Sequence, residues 1–169
     1  MSTGAPRTTA AALLELGALD KRDWQAALQR ILRIDSETLG VDRTSYWTLC
    51  DDPRMITCDL GFIQSLDAYE QGAVLSAKDA PTYLDELRAA KVIQLDDVTR
   101  DPRSRELLDY CAARKTTSML DVPVWVEARL VGVLCHEHSG PPRRWTPAEI
   151  DFVVSVTHCV ATALEAQRR

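Results

Sequence analysis

Four residues able to hold protons, metals or electrophiles stand in a row at Cys135, His136, Glu137 and His138. On an extended strand alternate side chains point to opposite faces, so His136 and His138 share one face and Cys135 and Glu137 the other. Two imidazoles on one face make half of a metal grip, whereas zinc takes three or four protein ligands. No third Cys or His lies at a suitable spacing, and His158 falls on a different segment. Hydrogen-bonded histidines, and no metal site, are the expectation.

The five cysteines, Cys50, Cys58, Cys111, Cys135 and Cys159, are odd in number and lack C-x-x-C spacing. That reads as reduced thiols in a reducing compartment, most of them used for packing. Thiol catalysis would need a nucleophilic and a resolving thiol close in space, with a lowered pKa. Cys50 and Cys58, which flank one hairpin, are the pair that could face each other. No G-x-S-x-G motif and no glycine-rich phosphate loop occurs, and scattered carboxylates make no glycosidase pair without geometry. No catalytic group is assigned.

The elements that must position these residues follow from periodicity and punctuation. Between Asp20 and Gly40 the apolar residues Trp24, Ala27, Leu28, Ile31 and Leu32 recur at helical spacing, and Gly40 suits a left-handed cap. Ala10 to Leu19 adds a short helix, and Met1 to Thr9 has the composition of a frayed terminus. Val41 to Cys50 and Met55 to Leu60 are strand-like around the turn signal Asp51-Asp52-Pro53-Arg54. Gly61 to Lys78 has no clear period. A helix opens near Asp79 and Pro81 and runs to Ala90, and a short strand covers Val92 to Leu95.

Asp101 and Pro102 open a further helix to about Arg114. Two strands follow, Thr117 to Val126 and Arg129 to His138, joined at Glu127 and Ala128, with Pro123 marking a bulge or edge. Thr146, Pro147 and Glu149 form a capping box that starts a long terminal helix with the stripe Ile150, Val153, Val154, Thr157, Val160, Ala161 and Leu164. The helix has no stop signal before Arg169. The order predicts an α+β fold with a central, mostly antiparallel sheet of five to six strands, flanked by helices, the first and last packed together.

Size and charge bound the rest. The 169 residues, 46% apolar, suffice for one core, so residues 20–169 are expected as one domain after a flexible or short helical stretch, 1–19. With 25 acidic against 20 basic residues the net charge is −5, which disfavours nucleic acid and anionic lipid. No run approaches the roughly 18 uninterrupted apolar residues of a membrane span, and the first residues lack a signal-peptide pattern. A cytoplasmic location is expected.

Two segments, VIQLDDVTRDPRSREL and SMLDVPVWVEARLVGVLCHEHSGPPRRWTPAEIDFV, closely resemble bacterial GAF domains found ahead of histidine kinases and diguanylate cyclases. The likeness spans about Trp24 to Leu164. It implies a GAF/PAS-like architecture with a ligand cavity on one side of the sheet and dimerising terminal helices on the other. It also implies an unidentified small-molecule ligand, a homodimer, and relay of a signal to a kinase or cyclase module of a two-component type of system.

The famous ligands of such domains leave different marks. Phytochromes carry a Cys-His-His run after a glycine on this strand. Counted from Gly132, Glu137 stands for their first histidine and only His138 matches the second. Leu107, three before Tyr110, replaces their pigment-facing histidine, and Glu106 falls where related cyanobacterial sensors attach the pigment. The resemblance therefore implies no covalent bilin. The Asn-Lys-Phe-Asp-Glu signature of cyclic-nucleotide binders is absent. A third precedent is reduction of free methionine sulfoxide by cysteines in the pocket.

If the pocket lies where the family places it, its walls come from the helix after Asp101 and the strands after Thr117 and ending in CHEH. Polar residues in this apolar setting are then the ligand-binding candidates: Tyr110, Ser118, Asp121 and His136. The plainer readings are that Tyr110 packs, Ser118 bonds the backbone, and Asp121 caps or pairs with Arg114. A ligand-free dimerisation or interaction module is the main alternative to a sensor.

Overall fold

The computed structural model describes residues 5–169; the first four residues of the stretch expected to fray lie outside it. Helix α1 (Thr9–Gly17) is capped by Thr8, whose side chain accepts from the Ala11 amide, and buries Ala12 and Leu16. Helix α2 (Trp24–Leu39) is capped by Asp23 and ends at Gly40, which adopts the predicted left-handed conformation with φ 71°. Its buried stripe includes Ile31, Asp35 and Leu39 at i, i+4 and i+8. A carboxylate thus occupies a core position.

Strands β1 (Arg43–Asp51) and β2 (Arg54–Ile63) form the first hairpin. The segment without a clear period holds two three-residue strands, β3 (Ala68–Glu70) and β4 (Val74–Ser76), both paired with β2. These bring the sheet to seven strands, beyond the five or six expected, because strands this short owe their form to their partner rather than to a pattern of their own. Helix α3 (Pro81–Ala89) and strand β5 (Ile93–Leu95) follow.

The helix expected from Asp101 divides in two. Pro102–Leu107 winds as a tighter 3-10 helix and only α4 (Leu108–Arg114) is α-helical. The buried Ser104 hydroxyl donates to the Asp101 carbonyl at 2.6 Å and to that of Val98, which draws the first turns tight.

Strands β6 (Thr116–Val126) and β7 (Arg129–Ser139) form the second hairpin, and helix α5 (Pro147–Gln167) closes the chain behind the predicted capping box. Glu127 and Ala128 both have positive φ, 49° and 62°, the sense of turn that matches strand twist. The sheet runs β3-β2-β1-β7-β6-β5 with every pairing antiparallel, and β4 beside β2. β5 covers β6 only from Met119 to Asp121, so Pro123 sits where β6 has lost that neighbour.

Two cores lie on the two faces. One joins α1, α2 and α5 to Tyr46, Leu120 and Leu134, and the other joins α3 and α4 to Trp47, Met119 and Val133. Helix α5 is, among the described residues, the one helix long and apolar enough by length and composition to cross a membrane. Here its inner side, with Val153, Val156 and Val160 fully buried, is part of the first core.

Candidate functional site

Strand alternation decides which predicted residues meet. On β6 and β7 the side chains of Met119, Asp121, Cys135 and Glu137 face α3 and α4, whereas Leu120, Leu134 and His136 face α2 and α5. Tyr110 and Asp121 therefore share one face, and His136 lies on the other. Ser118 joins neither set: its hydroxyl donates to the Asp96 carbonyl at 2.8 Å and accepts from the Arg143 amide at 2.9 Å, tying β6 to two loops.

On the α3/α4 face, Asp121 is 0% exposed. The Tyr83 hydroxyl donates to its Oδ2 at 2.6 Å, while Oδ1 is buried with no hydrogen-bond partner. Burial, reinforced by the nearby Glu137, pushes this carboxyl up from 3.8 to about 7 against the lowering effect of Tyr83 and His136. Arg114, the partner considered for Asp121, instead stacks on the Tyr110 ring at 4.1 Å and lies 3.9 Å from Glu70.

Glu137, also buried, accepts from Thr116 at 2.9 Å and from Tyr110 at 3.0 Å. Burial raises its carboxyl, and Arg114, Thr116 and Arg43 offset part of that rise. The same face holds a cavity of about 10 Å³ lined by residues that include Trp47, Leu75, Tyr83, Tyr110, Met119 and Cys135; the two carboxyls are not in its lining, but their hydroxyl partners Tyr83 and Tyr110 are. The cavity has room for about one water molecule. Clefts of about 570 Å³ exist elsewhere, one between α5 and the end of β6, the other a shallow charged surface by β5. Neither these clefts nor the small cavity has Asp121 or Glu137 in its lining.

On the opposite face His136 is fixed at both nitrogens. Nδ1 lies 2.7 Å from the Leu120 carbonyl, which can only accept, and Nε2 lies 2.6 Å from Asp35 Oδ2. Both side chains are 0% exposed. Burial lowers the imidazole's proton affinity, but the Asp35 charge, its hydrogen bond and the Leu120 carbonyl outweigh it and the net shift is upward. The pair is a buried histidine–aspartate link between β7 and α2. His138 meets the Pro141 carbonyl at 3.0 Å.

The thiols are not arranged for exchange. Cys50 stands opposite Met55 and Cys58 opposite Trp47, so they do not face each other across the hairpin as expected, and alternation from Trp47 places them on different faces. Burial pushes Cys58 and Cys111 up to about 12 and raises Cys135 and Cys159 as well. Thiolate is scarce in all four at neutral pH.

Three contributors escaped the sequence reading. Tyr83 is hidden in the ordinary stripe Tyr83, Leu84, Leu87, and Trp47 in a strand rich in aromatics. Asp35 alone left a signal, as the acidic residue spaced with Ile31 and Leu39.

The GAF domain family matches residues 23–164, and the chain belongs to it. No curated protein sequence matches. Solved structures share the fold at low identity. The phycocyanobilin-bound GAF domain of a cyanobacterial phytochrome has a TM-score of 0.70 at 20% identity, covering 94% of both chains. The free methionine-R-sulfoxide reductase from Neisseria meningitidis, in complex with its substrate, gives 0.66 at 12% identity, covering 95% of this chain and 87% of its own. The GAF domain of an Acinetobacter phosphoenolpyruvate-protein phosphotransferase gives 0.69 at 14% identity, covering 95% and 92%.

Proposed function

We propose that this chain is a cytoplasmic sensory GAF domain that binds a small ligand on the α3/α4 face and relays the event through its terminal helices to a kinase or cyclase module. The observation that carries the reading is Asp121: a fully buried carboxylate with one oxygen unpartnered, whose hydrogen-bond partner Tyr83 lines the small aromatic cavity of this face. An unsatisfied buried polar atom costs roughly 1–3 kcal/mol, a cost that a ligand donor would offset.

Strand β7 supplies a route for the signal. Cys135 lines the pocket while the adjacent His136 grips Asp35 of α2. A ligand that shifts the strand by a fraction of an ångström strains a linkage of 2.6 Å in a region without slack. Coupling needs the ligand to prefer one arrangement of that linkage.

The second reading is a ligand-free interaction module, favoured by the cavity of about 10 Å³, which the domain's own side chains fill. A methionine sulfoxide reductase is the least supported reading, because Cys50 and Cys58 do not face each other and burial raises Cys58, Cys111, Cys135 and Cys159. Thermal unfolding against panels of metabolites and nucleotides separates the first two. The sensor reading expects a compound that raises the melting temperature in wild type and fails in Asp121→Asn. No shift with any compound would favour the interaction module.

A further inference from the structure

The cleft of about 570 Å³ beside α5 owes its existence to the shortness of β5. β5 pairs with β6 only from Met119 to Asp121, so the side of β6 from Val122 to Val126 has no strand next to it. Successive side chains of a strand point to opposite faces, yet Val122 and Pro123 both line the cleft, together with Trp125. The cleft therefore wraps around the open edge of the sheet. Helix α5 contributes Val154 and Ala161 to it, and the stretch between α3 and β5 contributes Val92.

Size and charge both point to a ligand. The volume falls within the roughly 300–1,000 Å³ of small-molecule sites, and the lining is mostly apolar, as such sites are. Three basic side chains, Arg88, Lys91 and His158, stand in that lining with no acid, in a chain where 25 acidic residues outnumber 20 basic ones. Arg88 is paired with Asp51, whereas Lys91 makes no ion pair among the described residues. Trp125, 45% exposed, adds an aromatic surface that packs against no other ring among the described residues.

An unpaired ammonium beside apolar walls suits a molecule of opposite charge with an apolar body. The shallow cleft by β5 shows no such bias, since it mixes Asp96, Asp97 and Asp101 with Arg100 and Arg103. We infer that the cleft beside α5 binds a small amphiphilic carboxylate, its anionic head at Lys91 and its apolar body against Pro123, Trp125 and Val154. The site shares no lining residue with the small cavity of the α3/α4 face and stands independently of ligand binding there.

The position of the cleft gives its occupant a direct hold on the terminal helix. Val154, Thr157, His158 and Ala161 all belong to α5, whose inner side, with Val153, Val156 and Val160, is fully buried in the first core. A ligand lodged between these residues and the edge of β6 touches α5 itself, with no strand in between.

The test is an NMR titration of the full chain at neutral pH with three probes of one shape, cinnamate, cinnamyl alcohol and cinnamylamine. The signal read is the Trp125 indole N–H, assigned by its loss in Trp125→Phe. Cinnamate is expected to shift it saturably and to bind at least about fivefold more tightly than either twin. Lys91→Glu, at an exposed position, should weaken cinnamate by at least about fivefold with the melting temperature unchanged. Lys78→Glu, the same charge change at an exposed residue outside the cleft, should leave the affinity as it is. The alcohol or the amine binding as tightly as cinnamate, or Lys91→Glu keeping full affinity, overturns the anionic class. Silence of Trp125 toward all three probes overturns the site, and a Trp125 signal that moves only on dilution of the protein assigns the cleft to a second copy instead. None of these outcomes touches the reading of the α3/α4 face, whose own test is a thermal shift lost in Asp121→Asn.

Discussion

At the scale of single residues the domain buries three acids, Asp35, Asp121 and Glu137, and the first two predict different behaviour. Asp35 and His136 compensate each other, so His136→Leu strands a buried carboxylate and is expected to cost about 3–5 kcal/mol in urea unfolding. The double variant Asp35→Leu, His136→Leu should recover much of that loss. If the single variant is no less stable than the double, the pair is not a pair.

Asp121 has only the Tyr83 hydroxyl and the nearby His136 and Cys135 to offset its burial. Its folded-state pKa is raised from 3.8 to about 7, so the stability it contributes is complete at low pH and is lost as pH rises through that window. His136 and Glu137, both raised, lose their contributions in the same direction. Relative to wild type, Asp121→Asn should therefore gain melting temperature steadily from about pH 4 to about pH 7. A parallel pair of pH profiles would contradict the burial and orphaned oxygen of Asp121.

The sequence exposed only part of this site. Tyr110 and Asp121 stand out in the sequence as polar groups in apolar runs, and the fold puts both on the α3/α4 face. The partner of His136 was not legible, because Asp35 lies 101 residues away and their contact exists only once α2 crosses the sheet. Strand alternation around CHEH was legible, but which face belonged to the pocket was decided by where α3 and α4 pack.

At the scale of elements, what is written locally was readable and what is imposed by a neighbour was not. The α5 capping box, the α2 cap at Gly40 and the β6–β7 turn each sit in a few residues. β3 and β4 are created by pairing with β2, and the 3-10 segment by the Ser104 side chain. Two substitutions test the local devices. Gly132 lies on β7 where an added Cβ would come within 2.2 Å of the Trp47 carbonyl oxygen and 2.7 Å of the Tyr46 hydroxyl. Gly132→Ala must push β1 and β7 apart and is expected to cost about 2 kcal/mol or more by chemical denaturation. Ala128→Gly, by contrast, frees a non-glycine residue from φ 62° and should stabilise by up to about 1 kcal/mol. A loss on Ala128→Gly would contradict the turn.

At the scale of the molecule, two cores lie on the two faces of one sheet, and the proposed function assigns ligand binding to one and relay to the other. The face with α3 and α4 holds the orphaned carboxylate, and the face with α1, α2 and α5 holds the helices proposed to dimerise. Leu14 of α1 is 77% exposed and Trp125, beside the α5 cleft, 45% exposed, which is apolar surface suited to a second copy. Sedimentation should show a dimer that Leu14→Asp weakens, and a strict monomer at high concentration would remove that part of the proposal.

The central claim is that the α3/α4 face binds a small molecule, and native mass spectrometry of the freshly purified protein tests it most directly. The account predicts a non-covalent adduct that disappears on denaturation and is absent from Asp121→Asn. A clean apo mass in wild type, unchanged by the compound panels, would contradict it and leave the domain as an interaction module with a filled core.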